Sequence, residues 1–159
     1  MTETQPDAAP DTAPALDPFA LTGLELMQAI ARGDLPPAPI AETLGMTGFG
    51  AEAGSVWVEL QPEHRHYNPL GTMHGGVLST LLDTAAACSV HTTLEPGQGY
   101  TSLDLTVKFL RPVTTESGTL RTTGQVISRG RRTALAEAQV VDGQGRLVAH
   151  ATSTCMIFS

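Results

Sequence analysis

The sequence predicts an α+β domain in which a curved antiparallel sheet wraps around one long central helix, with an extra helix near the N-terminus. An apolar stretch that ends near His91 repeats its hydrophobic residues at spacings of three and four, which is typical of a helix. Strand-like segments follow it at short spacing, which favours an antiparallel meander. Because this helix alone is strongly apolar, we expect the sheet to curl around it.

The N-terminal part divides into a tail and a helix. Residues 1–18 carry four prolines among Ala, Thr and acidic residues, a composition that cannot bury enough apolar surface to offset the entropy of ordering. We therefore expect a flexible tail over 1–18 and a single folded domain over 19–159. Leu21–Ala31 has helical periodicity, and Gly33 with the prolines after it ends that helix.

Six segments are predicted to be strands. Val56, Val58 and Leu60 alternate with polar or amphipathic neighbours, and the sequence at 142–145 is a hairpin signal. The predicted strands are Ala41–Gly50, Ser55–Gln61, Tyr100–Leu110, Gly118–Ser128, Arg132–Val141 and Arg146–Phe158.

Composition narrows the compartment and the partners. The net charge of −7 and the pI near 5.0 argue against nonspecific nucleic-acid binding. The sequence has neither a secretory signal pattern nor an apolar run long enough to span a bilayer, so we expect a cytoplasmic protein without a membrane partner. Cys88 and Cys155 fit a reduced compartment and are predicted to be small buried hydrophobes.

The candidate site begins in the turn before the apolar helix. Asn68 and the residues after it favour a turn, and Thr72 is the predicted helix cap. Gly75 and Gly76 fall in the first helical turn, where backbone N–H groups lack intrahelical acceptors and the helix dipole favours negative charge. This turn is therefore a candidate oxyanion site.

Asp83 is the single acidic residue of the helix, on a face of small side chains that lets another backbone come close. Burying an unpaired carboxylate is costly, although a solvent-facing Asp would explain the residue equally well. Gly75 and Asp83 are eight residues apart, about 12 Å along a helix axis. If both act on one carbonyl, they must come from two subunits whose helices run antiparallel across a twofold axis, which predicts an obligate dimer.

One motif carries a family resemblance: Asn68-x-x-Gly71-x-x-His74-Gly75-Gly76 followed by Asp83. It is similar to the hotdog-fold acyl-CoA thioesterases of the phenylacetate-catabolism (PaaI-like) type, most specifically over 68–112. The resemblance implies the hotdog fold, homodimers whose sheets join edge to edge and often pair into homotetramers, and hydrolysis of acyl-CoA without a metal. It also implies no bound cofactor, since coenzyme A is part of the substrate.

The same resemblance assigns roles. Asp83 activates water or attacks the thioester carbon itself, and the Gly75 amide polarises the carbonyl. His74 supports that carbonyl, Asn68 orients the nucleophilic side, and Ser102 helps to hold the water. In this arrangement one subunit supplies Asn68, His74 and Gly75. Its partner supplies Asp83 and Ser102. From the sequence alone His74 also fits a helix cap or a core residue, and Ser102 an ordinary strand residue. The nearby Ser102 hydroxyl favours a general-base role for Asp83 over a nucleophilic one.

Other polar residues suggest weaker sites. His64 and His66 lack a third ligand at usable spacing, so no metal site is predicted. A predicted turn concentrates basic charge and is a candidate site for the phosphates of coenzyme A, with Lys108 and Arg111 as further candidates. A solvated hairpin tip is the alternative explanation. The turn consists of Arg129, Gly130, Arg131 and Arg132.

The function predicted from these features is acyl-CoA thioesterase activity on an acyl- or aryl-CoA substrate. Two alternatives remain open at this stage. One is a hydratase or dehydratase of acyl thioesters on the same fold, and the other is a noncatalytic module that binds acyl-CoA or an aromatic ligand. The sequence does not fix the acyl group.

Overall fold

The computed structural model describes residues 17–159, so all but the last two residues of the predicted flexible tail lie outside the described part. The elements in chain order are α1 (Gly23–Arg32), α2 (Pro39–Leu44), β1 (Met46–Glu52), β2 (Ser55–Leu60), α3 (Gly75–His91), β3 (Gly99–Ser102), β4 (Thr106–Phe109), β5 (Leu120–Arg129), β6 (Thr133–Val141) and β7 (Leu147–Phe158). Short 3₁₀ turns occupy His64–His66 and Thr115–Ser117.

The strands form one seven-stranded antiparallel sheet in the order β1-β2-β5-β6-β7-β3, and β4 also pairs with β7. β3 and β4 share β7 as a partner because they pair with different parts of it: Ser102 lies opposite Cys155, and Thr106 lies opposite Thr152. The sheet curls around α3, which contacts β2, β5, β6 and β7. The predicted α+β hotdog fold, with its central helix and extra N-terminal helix, is confirmed.

Close packing holds α3 against the sheet. Its apolar face is buried in the core, with Leu81, Leu82 and Ala85 fully inaccessible to solvent. Gly124 of β5 lies directly under the helix, and a Cβ atom placed there would come within 2.1 Å of the Ala85 carbonyl oxygen. The helix backbone therefore rests on the strand backbone at a point where only glycine fits.

Local signals and one tertiary contact fix α1. Thr22 and Glu25 form a capping box at its start, and Gly33 ends it with a φ of 81°. The Gly23 amide donates a hydrogen bond of 2.9 Å to the Leu94 carbonyl, and so α1 begins against the C-terminal end of α3. The helix predicted for this region is confirmed.

Two predicted strands are wrong in part. The first half of Ala41–Gly50 is the helix α2, because Pro39 suits its first position and Gly45, at φ 71°, ends it before β1 begins. The predicted strand Tyr100–Leu110 is interrupted around Asp104. The Asp104 carboxylate accepts a hydrogen bond of 3.0 Å from the Thr154 amide, which bends the chain between β3 and β4.

Both cysteines are free thiols, with Cys155 buried and Cys88 half-buried. Their predicted role as small apolar residues agrees with this burial. Within residues 17–159, no helix combines the length and the apolar character required to cross a bilayer.

Candidate active site

The site starts where α3 begins, and its cap is His74 rather than the predicted Thr72. Thr72 is engaged one turn earlier, where its hydroxyl accepts a hydrogen bond of 3.1 Å from Asn68. The His74 Nδ1 atom accepts a hydrogen bond of 2.8 Å from the Gly76 amide. Because Nδ1 is the acceptor, the proton of the neutral ring is assigned to Nε2. The exposed His74 side chain can therefore donate from Nε2.

Neighbouring side chains leave little room beside both glycines that follow His74. A Cβ atom on Gly75 would lie 3.0 Å from the Phe109 ring, and one on Gly76 would lie 2.9 Å from His74 Nδ1. Among the hydrogen bonds of residues 17–159, none uses the Gly75 amide, as expected for the first position of a helix. The Gly75 N–H is therefore a free donor at the positive end of the α3 dipole.

Asn68 organises the turn that leads to this helix. Its Oδ1 accepts hydrogen bonds from the amides of Leu70, at 2.8 Å, and Thr72, at 3.3 Å. The backbone N–H of Asn68 donates a hydrogen bond of 2.8 Å to the Thr72 carbonyl. Asn68 thus closes an Asx-type turn, and the position of the Gly75 amide depends on it.

Asp83 lies on α3, half-buried, and faces strand β3. The Ser102 hydroxyl donates a hydrogen bond of 3.2 Å to Asp83 Oδ1. A depression of about 330 Å³ contains both side chains together with Asp104 and the Leu103 and Leu105 side chains. The predicted pairing of Asp83 with Ser102 is therefore present in one chain.

Asn68 and Gly75 lie in a different depression, whose lining does not include the exposed His74 side chain. Asn68, Gly75, Phe109 and Arg111 line a cavity of about 360 Å³, and it shares no lining residue with the depression that holds Asp83. Gly75 and Asp83 belong to the single continuous helix α3, in which their separation of eight residues corresponds to about 12 Å. One chain therefore holds the two predicted groups of site residues in separate depressions, and we call these depressions the Gly75 half-site and the Asp83 half-site.

Comparisons with known proteins identify the family. The sequence profile of the thioesterase superfamily matches residues 70–149, which is 80 of the 159 residues and includes Gly75, Asp83 and Ser102. The chain belongs to the thioesterase superfamily. The predicted resemblance to PaaI-like proteins and the predicted class of thioester hydrolase are both confirmed at this level.

Solved structures and curated relatives agree with this assignment. A phenylacetic acid degradation-related protein from Ralstonia eutropha JMP134 is 34% identical, with a TM-score of 0.73 over 82% of this chain and 98% of that one. The E. coli PaaI protein is 25% identical, with a TM-score of 0.74 over 87% and 96%. Human acyl-coenzyme A thioesterase 13 is 27% identical over 69% of this chain and 77% of its own length.

A cluster of three half-buried polar groups, Cys88, His91 and Tyr100, lies beyond Asp83 on and beside α3 in this thioesterase-superfamily chain. Burial raises the pKa of the Cys88 thiol to about 11, the Asp83 charge acts in the same direction, and a hydrogen bond from Tyr100 opposes both. Burial also raises the pKa of the Tyr100 hydroxyl and lowers the pKa of His91. These three groups are therefore uncharged at neutral pH. No pattern in the sequence indicates the contact of Cys88 with Tyr100, since this contact depends on how β3 crosses α3.

The basic cluster of this superfamily member lies at the other end of α3. Arg129 Nε donates a hydrogen bond of 3.1 Å to the Thr93 hydroxyl, just beyond the C-terminus of the helix. Arg131 and Arg132 are exposed beside it. The cluster and the Gly75 half-site therefore lie at opposite ends of the helix within one chain, whereas Arg111 lines the Gly75 half-site directly.

His66 has a structural role. Its Nδ1 accepts a hydrogen bond of 3.0 Å from the Glu63 amide, and its Nε2 donates to the Leu44 carbonyl at 2.9 Å. Both ring nitrogens are thus occupied, so His66 cannot join His64 as a metal ligand. The described residues contain no group of three or more His, Cys, Asp or Glu side chains that could hold a metal ion.

Proposed function

We propose that the protein is an acyl-CoA thioesterase that hydrolyses an acyl- or aryl-CoA to the free acid and coenzyme A in a site shared by two subunits. The separation of the two half-sites on α3 carries this proposal. Gly75 offers an amide without a partner among the described residues, and Asp83 offers a carboxylate, at about 12 Å along the same rigid helix. An antiparallel pair of α3 helices brings each Gly75 to the Asp83 of the other chain.

Exposed apolar side chains beside each half-site support the dimer. Leu103, in the Asp83 depression, is 56% exposed, and Phe109, in the Gly75 depression, is 54% exposed. Leu110 next to it is also exposed. Apolar side chains grouped around polar groups are typical of a surface that is covered on association. Pairing of two such dimers into a tetramer is part of the same proposal.

In the proposed reaction, the thioester carbonyl oxygen accepts a hydrogen bond from the Gly75 N–H, and His74 Nε2–H lies beside it. A water molecule held near Ser102 attacks the carbonyl carbon while Asp83 of the partner chain takes its proton. Negative charge that develops on the carbonyl oxygen is stabilised by the Gly75 amide and the helix dipole. The C–S bond then breaks, and coenzyme A leaves as a thiolate. Because a thiolate is a good leaving group, one carboxylate and one oriented amide are sufficient for hydrolysis without a Ser-His-Asp triad.

If Asp83 instead attacked the carbonyl carbon, a mixed anhydride would form and water would resolve it. Single-turnover hydrolysis in oxygen-18 water tests for this second route. Label in the Asp83 carboxylate would show that Asp83 attacked and that water resolved the anhydride at the Asp83 carboxyl carbon, whereas a general base leaves Asp83 unlabelled. We expect no label in Asp83, because the Ser102 hydroxyl beside it can hold a water molecule.

The function is tested with a panel of acyl-CoA substrates and a thiol-detecting reagent, on the wild type and Asp83→Asn. Loss of thiol release in the variant supports the proposal. A wild type that binds acyl-CoA without releasing thiol would instead indicate a binding module, and formation of a hydrated or dehydrated thioester would indicate the hydratase class.

The shared site has a separate test. Asp83→Asn and His74→Ala are expected to be nearly inactive when pure, because each disables both sites of its homodimer. After the two are unfolded and refolded together, half of the dimers are mixed, and each mixed dimer has one intact site. Activity should then return to about a quarter of the wild-type value by symmetry. No recovery in verified mixed dimers would show that the two residues act within one chain.

A further inference from the structure

An apolar depression of the described chain lies outside both half-sites. It has a volume of about 600 Å³ and runs between α1, the segment 35–38, α2, strand β1 and the outer side of α3. We call it the α1 groove. Its lining includes Met27, Ile30, Ile40, Phe49, Thr84 and Cys88.

The chemistry of the α1 groove suits a hydrocarbon group. Among its lining residues Glu42 alone carries a charge, and that charge is negative. Phosphates of coenzyme A would therefore be repelled, and a terminal carboxylate would find no cation. The volume is within the range of about 300–1,000 Å³ that is usual for small-molecule pockets. An uncharged, mostly apolar ligand fits both the size and the lining.

The inner wall of the α1 groove is close to the proposed acid. Thr84 and Cys88 follow Asp83 by one and five positions on α3, which corresponds to about 1.5 and 7.5 Å along the helix axis. Cys88 is half-buried and also neighbours Tyr100, which belongs to the same strand as Ser102. The groove and the Asp83 half-site have no lining residue in common, and they flank neighbouring faces of the same stretch of α3.

We propose that the α1 groove receives the acyl group of the substrate, and that the preferred substrates carry an uncharged hydrocarbon acyl chain of medium length. This inference depends on the proposed thioesterase function, and it selects a substrate class for it. Each methylene that enters the groove is expected to raise kcat/KM about fourfold. Substrates with a terminal carboxylate are expected to lose that gain.

The experiment combines hydrolysis with binding. Hydrolysis is measured with acetyl-CoA, decanoyl-CoA and a dicarboxylic acyl-CoA of equal length. Binding is measured with two thioethers that cannot be hydrolysed, S-methyl-CoA and S-decyl-CoA. Trp57 is the single tryptophan of the chain and lines the groove, so its fluorescence reports occupancy independently of catalysis.

Two variants fill the groove at different points. Cys88→Leu narrows its inner wall, and Ala31→Phe fills it from an exposed position of α1 where a folding defect is not expected. Leu26→Phe is the matched control, because Leu26 lines a different cavity of about 580 Å³ that α1 forms with the end of α3. The control is expected to keep the wild-type substrate preference.

Three results together support the inference. The wild type prefers decanoyl-CoA to acetyl-CoA, and S-decyl-CoA changes the Trp57 fluorescence whereas S-methyl-CoA does not. In both groove variants the ratio of kcat/KM for decanoyl-CoA to that for acetyl-CoA is at least tenfold lower than in the wild type. Unchanged ratios in both variants, or no Trp57 response to S-decyl-CoA, overturn the inference while thioesterase activity stands. Binding of S-decyl-CoA by a protein that releases no thiol overturns the proposed function and leaves the groove assignment intact.

Discussion

The Ser102 hydroxyl donates a hydrogen bond to Asp83 Oδ1 over 3.2 Å, and this contact joins strand β3 to the middle of α3. A carboxylate has about four acceptor positions, and this bond uses one of them. Asp83 is thus held in a defined direction while it keeps acceptor capacity for water. A strand residue and a helix residue separated by 19 positions thus come together in the proposed Asp83 half-site.

Replacement of Asp83 by Asn should remove hydrolysis and keep the fold. The amide has nearly the same shape and still accepts the hydrogen bond from Ser102, but it cannot take a proton from water. We expect kcat to fall by about 10²- to 10⁴-fold, the usual contribution of a general base. Ser102→Ala should lower kcat less, by about tenfold, because Asp83 is still present to accept the proton. Steady-state kinetics with unchanged circular dichroism checks both, and near-normal kcat in Asp83→Asn would exclude the acid from the reaction.

Replacement of His74 separates its two roles. Asn is a good helix cap, so His74→Asn should keep stability within a few tenths of a kcal/mol, whereas His74→Ala should lose about 1 kcal/mol. If Nε2–H supports the carbonyl, kcat should fall in both variants by a similar factor. Chemical unfolding and kinetics on the same samples test this. Normal activity in a stable His74→Asn protein would reduce His74 to a cap.

The outline of the site follows from the sequence because it depends on local rules. The glycine pair at a helix start and the eight-residue spacing from Gly75 to Asp83 are properties of one helix, and helix geometry converts them into a distance. That reasoning predicts that one chain cannot bring both residues to one carbonyl, and Gly75 and Asp83 do lie in separate depressions of the fold. The catalytic roles of the two residues stay predictions.

Features that depend on tertiary contacts escape prediction. The cap at His74 replaces Thr72 because Asn68 uses the Thr72 hydroxyl within the preceding turn. The helix α2 is short, and its sequence fits a strand until Pro39 and Gly45 are given their roles as first and last residues. The α1 groove has no sequence signal, because its walls come from segments distant along the chain.

The arginine cluster should affect substrate affinity. α3 continues for eight residues beyond Asp83, about 12 Å along the axis, and Thr93, which contacts Arg129, lies just beyond its end at His91, a distance that an extended pantetheine arm can span. We expect the double variant Arg131→Ala/Arg132→Ala to raise KM for acyl-CoA about tenfold with kcat nearly constant, as loss of charge-assisted contacts would.

Arg111→Ala is the comparison, because Arg111 lines the Gly75 half-site instead. Initial rates over a range of acyl-CoA concentrations, repeated at higher salt, separate the two basic regions. If KM stays at the wild-type value in the double variant and rises in Arg111→Ala, the phosphates bind near Gly75.

Gly124→Ala should be among the most damaging single-methyl changes in the core. The added Cβ would lie 2.1 Å from the Ala85 carbonyl oxygen and 2.3 Å from its carbon, so α3 would have to move away from β5. Overpacking of this kind costs about 1–3 kcal/mol or more. Gln125→Ala, on the exposed side of the same strand, is the control and should change Tm little. Equal Tm values for both variants would show that the helix tolerates the shift.

Stability at high pH should depend on Cys88. Its ordinary pKa of 9.0 rises to about 11 in the folded protein, chiefly through burial. Because the folded pKa is the higher one, the neutral thiol contributes fully below pH 9, and the contribution is lost as pH rises toward 11. A shift of this size corresponds to about 3 kcal/mol. Burial also raises the pKa of Tyr100 above its ordinary value of 10.0, so Tyr100 adds to the loss of stability above pH 10, and the informative quantity is the difference between wild type and Cys88→Ala. Urea unfolding at pH 8 and pH 10.5 should show a smaller loss of stability in the variant, and an equal loss in both proteins would contradict a buried, neutral Cys88 thiol.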